Sequence, residues 1–152
     1  MRFEVRQASI RDLDTLVPLF DGYRQFYRQP SDPDRAHAFL AERFAQHESL
    51  ILLACGEHGA GLGFTQLFPL FSSVRMARIY LLNDLFVAPD ARKHGVGKAL
   101  LEASAKHARA LGAVRLWLQT ELNNAPAQAL YTSAGWKRDP DFCDYGLSLQ
   151  ES

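Results

Sequence analysis

The chain has 152 residues, 47% hydrophobic and 22% charged, and its 17 Lys plus Arg balance its 17 Asp plus Glu for a formal net charge of zero. That apolar share excludes disorder, and the length suits one domain, residues 1–152, burying about 70% of its unfolded surface without staples. Neutrality removes the global electrostatic case for a nucleic-acid or anionic-membrane partner, while a local basic patch and a second subunit stay open.

Met1-Arg2-Phe3-Glu4-Val5-Arg6 lacks the apolar core of a signal peptide and, with Ala8, reads as a short strand. No apolar run reaches the length of a membrane span, so the chain reads as soluble and cytoplasmic. Ser9 is a candidate N-cap for a helix carrying Ile10, Leu13, Leu16, Val17 and Phe20, with Pro18 expected to kink or break it. After Pro30-Ser31-Asp32-Pro33 a second helix is predicted over 35–46, with Phe39, Leu40 and Phe44 inward. Residues 50–55, 62–71 and 78–87 read as three strands of an antiparallel meander. A long helix over 95–111 comes next, then a strand over 114–120, a helix over 124–133, and final strands at 136–137 and 144–149. Strand, helix, strand over this length predicts a right-handed crossover with parallel strands, hence an α/β fold with a mixed sheet.

Cys55 and Cys143 are too few for a disulfide framework; one bridge between them is open, and the favoured reading is two reduced, partly buried thiols. His37, His47, His58 and His107 show no paired spacing, so no metal site is expected.

The most informative segment is Arg92-Lys93-His94-Gly95-Val96-Gly97-Lys98, between a strand and a helix. Free amides and the helix dipole favour a phosphate or pyrophosphate there, and the glycines let backbone approach it. A P-loop would need a glycine at Arg92 and Ser or Thr at Ala99; a dinucleotide fingerprint would need glycine at Leu100. What remains is Arg-x-x-Gly-x-Gly, matched by Arg92, Gly95 and Gly97.

The run from Leu85 to Leu101 resembles the acyl-CoA-binding motif of the GNAT superfamily of N-acetyltransferases. Asn124-x-x-Ala127-x-x-Leu130-Tyr131-x-x-x-Gly135-Trp136 resembles that family's second block, whose last position is usually Phe. The resemblance implies a mostly antiparallel sheet with helices on both faces and a splayed parallel strand pair holding acetyl-CoA. It implies that Leu85, Phe86 and Val87 meet the pantetheine arm. The amides of His94, Gly95, Val96, Gly97 and Lys98, with Arg92 and Lys93, would meet the pyrophosphate, and Asn124 the cofactor arm. Tyr131 would be the general acid for the departing thiolate. In the diamine-acetylating branch a Glu-Asp pair precedes the aromatic-Val segment; here the pair is Asn83-Asp84, leaving Asp84 as the first candidate base and Glu121 as the next, with a buried, hydrogen-bonded strand carboxylate or a bulge residue as the structural alternative for Asp84. Tyr23 and Tyr27 share a helix face that either packs in the core or borders the acceptor.

The expected reaction is acetyl transfer from acetyl-CoA to a primary amine, with a small-molecule amine first and a protein lysine or N-terminus second. A non-catalytic acyl-CoA sensor is the alternative of another class. The family also implies a homodimer.

Overall fold

A computed structural model describes residues 1–150. Among them, five strands form one sheet in the order β1 (Glu4–Gln7), β2 (Leu50–Cys55), β3 (Gly61–Ser72), β4 (Ala77–Val87), β5 (Leu116–Trp117). The first four are antiparallel in sequence, and β5 joins β4 in parallel. The helices are α1 (Leu13–Phe26), α2 (Pro33–Ala45), α3 (Val96–Ala110) and α4 (Ala125–Ser133). None is long and apolar enough to cross a membrane.

β2 explains the architecture. All six of its residues are buried. Ile51, Leu53 and Cys55 pack with Leu16, Leu19 and Phe20 of α1 and Leu40 of α2, while Leu50, Leu52 and Ala54 pack with Val96, Leu100 and Leu101 of α3. A strand covered on both faces has no polar alternation to show, which is why it reads as a continuous apolar run.

Ser9 acts as a cap as expected, but the residues after it, Ile10–Asp12, form a 3-10 turn. The Ser9 hydroxyl accepts from the Arg11 amide, and the Asp12 carboxylate accepts from the Ser9 amide at 2.8 Å. α1 then runs unbroken through Pro18, so of the expected kink or break the break does not occur. One missing N–H is offset by the buried stripe Leu13, Leu16, Leu19 and Phe20. In α2 the buried stripe is Ala36 and Leu40. Phe39, expected inward, is 40% exposed. It stacks on Phe20 at 5.6 Å and lies beneath the Arg43 guanidinium at 4.4 Å, so it covers the edge of the core. Asp21, buried in α1, accepts from the Ser31 hydroxyl at 2.6 Å and the Asp32 amide at 2.8 Å, which pins the α1–α2 connection.

Two further expectations are corrected at the far edge. The strand expected over 114–120 is reduced to Leu116–Trp117, in register with Tyr80 and Leu81, with a further backbone bond from the Val114 amide to the Arg78 carbonyl at 3.0 Å. Residues 136–137 and 144–149 form no strand. Tyr145, Leu147 and Leu149 alternate as a strand would, yet alternation without a paired edge does not make one. Trp136 packs against the α3-side core beside Tyr131, and beyond it polar contacts reach the β5 side: Arg115 to Asp139 at 3.7 Å and Gln119 to Asp144 at 2.7 Å. Cys143 lies on this segment and is exposed, whereas Cys55 is buried; both are free thiols.

Candidate active site

The site begins with a fault in strand pairing. Gln66 of β3 faces Asp84 of β4, but its neighbour Leu67 faces Leu82, so Asn83 is an extra residue in β4. A β-bulge of this kind reverses the strand's phase. Before it, Tyr80 and Leu82 pack on the α3 side; after it, Leu85 and Val87 do so, and Phe86 packs with α1. Asp84 is thereby turned to the α1 face, where a regular strand would have put it under α3.

There Asp84 is 2% exposed. Its Oδ1 accepts from Asn83 Nδ2 at 2.7 Å and its Oδ2 from Gln66 Nε2 at 2.7 Å. The Tyr23 phenol of α1 donates to the Asn83 carbonyl at 3.0 Å and also faces the carboxylate. Burial pushes the Asp84 carboxyl up to about 6, against the pull of these three donors.

Tyr27 is the meeting point of the other candidates. Burial raises its phenol, and the carboxylates of Glu121 and Asp84 raise it further. Tyr131 feels Tyr27 in turn, although burial is the larger cause of its rise to about 12. Tyr23 and Tyr27 meet edge to face at 5.2 Å. Tyr23, Tyr27, Asp84, Glu121 and Tyr131, drawn from α1, β4, the β5–α4 connection and α4, thus lie within electrostatic reach of Tyr27 or of one another. Glu121 is not free there: its carboxylate pairs with Arg28 at 3.5 Å across the rim.

β4 continues to Val87 after β5 has ended at Trp117, so the parallel strands part as the resemblance implied. Leu85, Phe86 and Val87 lie on this unaccompanied stretch. The Val87 carbonyl is already engaged, accepting from Arg92 Nε at 3.0 Å, with the Arg92 guanidinium 5.7 Å from the Phe86 ring. Arg92 thus folds back to fix the turn to the end of β4. Beyond it Lys93 (φ 65°) and Gly95 (φ 83°) both take left-handed conformations, and α3 starts at Val96 with no side chain capping it. The amides at the start of α3 are left without intrahelical partners. Lys93, His94, Gly95 and Lys98 are exposed around them, while Val96 is buried beneath. Gly97 lies close under α4: a Cβ there would be 3.1 Å from Leu130 Cδ2, which would have to give by a few tenths of an ångström.

Asn124 stands at the start of α4, where its Oδ1 accepts from the Ala127 amide at 3.3 Å. Its Oδ1 is committed to the helix, which leaves Nδ2 as the group available to a ligand. Thr120, between β5 and α4, has a buried hydroxyl with no partner among the described residues. A buried hydroxyl without a partner carries a cost that a bound polar group would remove. Together with the uncapped α3 terminus it fits an acyl-CoA carrying amides and phosphates.

Three participants are not evident from the sequence pattern. Gln66 has a visible signal, a carboxamide alternating with Phe64 and Phe68. Thr120 and Arg28 have none. A cavity of about 450 Å³ is lined by Ser49, Leu50, Pro69, Arg78 and Tyr80 at the far end of the sheet, away from the glycine turn. Chemistry places the site at the parted strands, not there.

Comparison with known proteins agrees with this geometry. The sequence pattern of the Acetyltransferase (GNAT) family matches residues 15–136. The chain belongs to the GNAT acetyltransferase family. It is 50% identical to YhfO of Bacillus subtilis (strain 168), which is named an uncharacterized N-acetyltransferase, over 95% of this chain and 97% of that one. It is 28% identical to the D-amino-acid N-acetyltransferase HPA3 of Saccharomyces cerevisiae, over 91% of this chain and 87% of that one. A crystal structure of a probable acetyltransferase superposes with a TM-score of 0.92 at 39% identity, covering 100% of both chains. The family's mixed sheet and helices on both faces are those described above, and the chain is an acetyltransferase.

Proposed function

We propose that this acetyltransferase moves an acetyl group from acetyl-CoA to the primary amine of a small molecule, by direct attack within a ternary complex. The observation that carries this reading is the bulge at Asn83, which delivers a buried carboxylate, Asp84, into an aromatic-walled space bordered by Glu121. Aromatic faces and carboxylates suit an alkylammonium ion. The name of the yeast relative, which specifies a small amine as acceptor, supports the same class.

The residues divide the work by where protons must go. Most alkyl amines arrive protonated near pH 7. Asp84, with a pKa near 6, is ionised at that pH and close enough to neutrality to take a proton and release it again. It accepts the proton from the attacking nitrogen, directly or through one water. Tyr131, held near 12, keeps its proton at any working pH and donates it from Oη to the leaving sulfur. The α3 amides with Lys93 and Lys98 would hold the pyrophosphate. The backbone at Leu85–Val87, Asn124 Nδ2 and the Thr120 hydroxyl would hold the arm. When bound, acetyl-CoA supplies an acyl group reactive enough that no covalent enzyme intermediate is needed. A cytoplasmic location follows as an expectation from that co-substrate.

Thiol release from acetyl-CoA tests the proposal with a panel of spermidine, a D-amino acid, an aminoglycoside and a lysine peptide. At least one small amine should stimulate release. Tyr131→Phe should then lower kcat about a hundredfold with acetyl-CoA affinity unchanged. Release stimulated by the peptide alone contradicts the small-molecule reading.

A further inference from the structure

Gln66 lies directly across the β3–β4 pairing from Asp84, with none of its surface exposed. Both ends of its carboxamide are used. Nε2 donates to Asp84 Oδ2 at 2.7 Å, and Oε1 accepts from the Ser49 hydroxyl at 2.8 Å. A buried carboxamide beside Phe64 is costly unless fully paired, and an apolar side chain would fill this core position at lower cost. Its presence calls for a reason that packing does not supply.

The groups facing the Asp84 carboxylate show what that reason is. α1 contributes the phenols of Tyr23 and Tyr27, β3 contributes Gln66, and β4 contributes Asn83; Tyr131 and Glu121 stand beyond Tyr27. No lysine or arginine is hydrogen-bonded to the carboxylate among the described residues. The buried anion therefore depends on neutral donors, of which Gln66 is one of the two at 2.7 Å.

We propose that Gln66 is the positioning residue for Asp84: its carboxamide, backed by Ser49, aims the carboxylate and holds it ready to accept the amine's proton. This rests on the reading of Asp84 as the base. The pair also suits the other protonation state. When Asp84 carries the proton, the amide turns over. Asp84 O–H then donates to Gln66 Oε1, and Gln66 Nε2 donates to Ser49 Oγ, whose hydroxyl rotates away. The terminal amide torsion is broad and two-fold, so the turn meets little intrinsic resistance. Every buried polar group keeps a partner in both states. A base that takes up and returns a proton inside a dry site needs such a neighbour.

The test uses Gln66→Met, which keeps volume without the donor, and Gln66→Glu, which keeps shape but sets a second carboxyl against the first. Two midpoints are read for each variant whose circular dichroism is native. One is the acidic limb of kcat/KM for spermidine or whichever amine of the panel turns over. The other is the Asp84 carboxyl ¹³C resonance in the free protein. Gln66→Met should raise both midpoints by about one pH unit, a roughly fivefold loss of rate near pH 6 that approaches tenfold below about pH 5, with near-normal rate near pH 9. Gln66→Glu should raise them further, because two adjacent carboxyls share one proton. Midpoints unchanged in a folded variant overturn the proposal. A resonance that moves while the rate limb stays fixed keeps Gln66 as the partner of Asp84 and rejects Asp84 as the base. Should Gln66→Met fail to fold, the isosteric Gln66→Glu decides alone.

Discussion

Asp84 is buried among neutral groups, and that placement has a thermodynamic signature separate from its chemistry. Its carboxyl is raised from an ordinary 3.8 to about 6, chiefly by burial. A group whose folded pKa is raised binds its proton more tightly folded than unfolded. Its stabilising contribution is complete below about pH 4 and is lost as pH rises through about 6. At about 1.4 kcal/mol per unit, two units amount to about 3 kcal/mol. Asp84→Asn, which has no charge to bury, should therefore gain about 3 kcal/mol relative to wild type between about pH 4 and about pH 8, measured by urea unfolding at each pH. A constant difference between the two proteins contradicts the buried carboxylate. Such a gain coupled to lost turnover is the pattern expected when a site residue is kept for function at the expense of stability.

Two elements turn local sequence into a site: the bulge that aims Asp84, and the turn that opens α3. The turn is legible because its meaning lies in near neighbours, Arg92, Gly95 and Gly97 at fixed spacing after a strand. The structure separates their tasks. Gly95 is favoured by its left-handed backbone, since nothing lies within 4 Å of a Cβ placed there, whereas Gly97 is favoured by the close approach of the Leu130 side chain. At position 95, then, substitutions should rank by tolerance of positive φ. Gly95→Asn should be the mildest, Gly95→Ala should cost about 1–2 kcal/mol, and Gly95→Val more. Acetyl-CoA affinity measured calorimetrically should fall in the same order, and an order set by side-chain size alone contradicts the backbone argument. The bulge is legible only as an alternative for Asp84, and its register is not. Asp84 stands out in the sequence, but its direction depends on which β3 residue faces it, a long-range fact that alternation along one strand does not hold. Gln66 is hidden for the same reason. Arg92 reads as a cation for phosphate, and only the folded chain shows its guanidinium turned back onto Val87 and Phe86.

At the scale of the whole molecule, the sheet order through β4 and the helix on each face come from hydrophobic runs long enough to bury themselves. The edge beyond β5 does not, because its alternation finds no paired strand. That edge carries Phe142, Tyr145, Leu147 and Leu149, exposed at 81%, 95%, 85% and 91%. Together their side chains expose about 600 Å² of apolar surface along one short segment. Two copies would bury about 1,200 Å², the lower end for a stable interface. We therefore expect a homodimer that covers this segment, and zero net charge does not oppose it. Sedimentation equilibrium should give twice the chain mass, and Leu147→Glu with Leu149→Glu should shift it toward the monomer; a monomeric wild type at micromolar concentration contradicts this.

The central claim is that a bulged β4 sets Asp84 as the base of an amine acetyltransferase. It is tested most directly by the pH dependence of amine-stimulated thiol release in wild type and Asp84→Asn. Wild-type kcat/KM should rise through a midpoint near pH 6. Asp84→Asn should lose that limb and about a hundredfold or more in rate, with acetyl-CoA still bound. An Asp84→Asn protein that keeps both the limb and the rate would contradict the account.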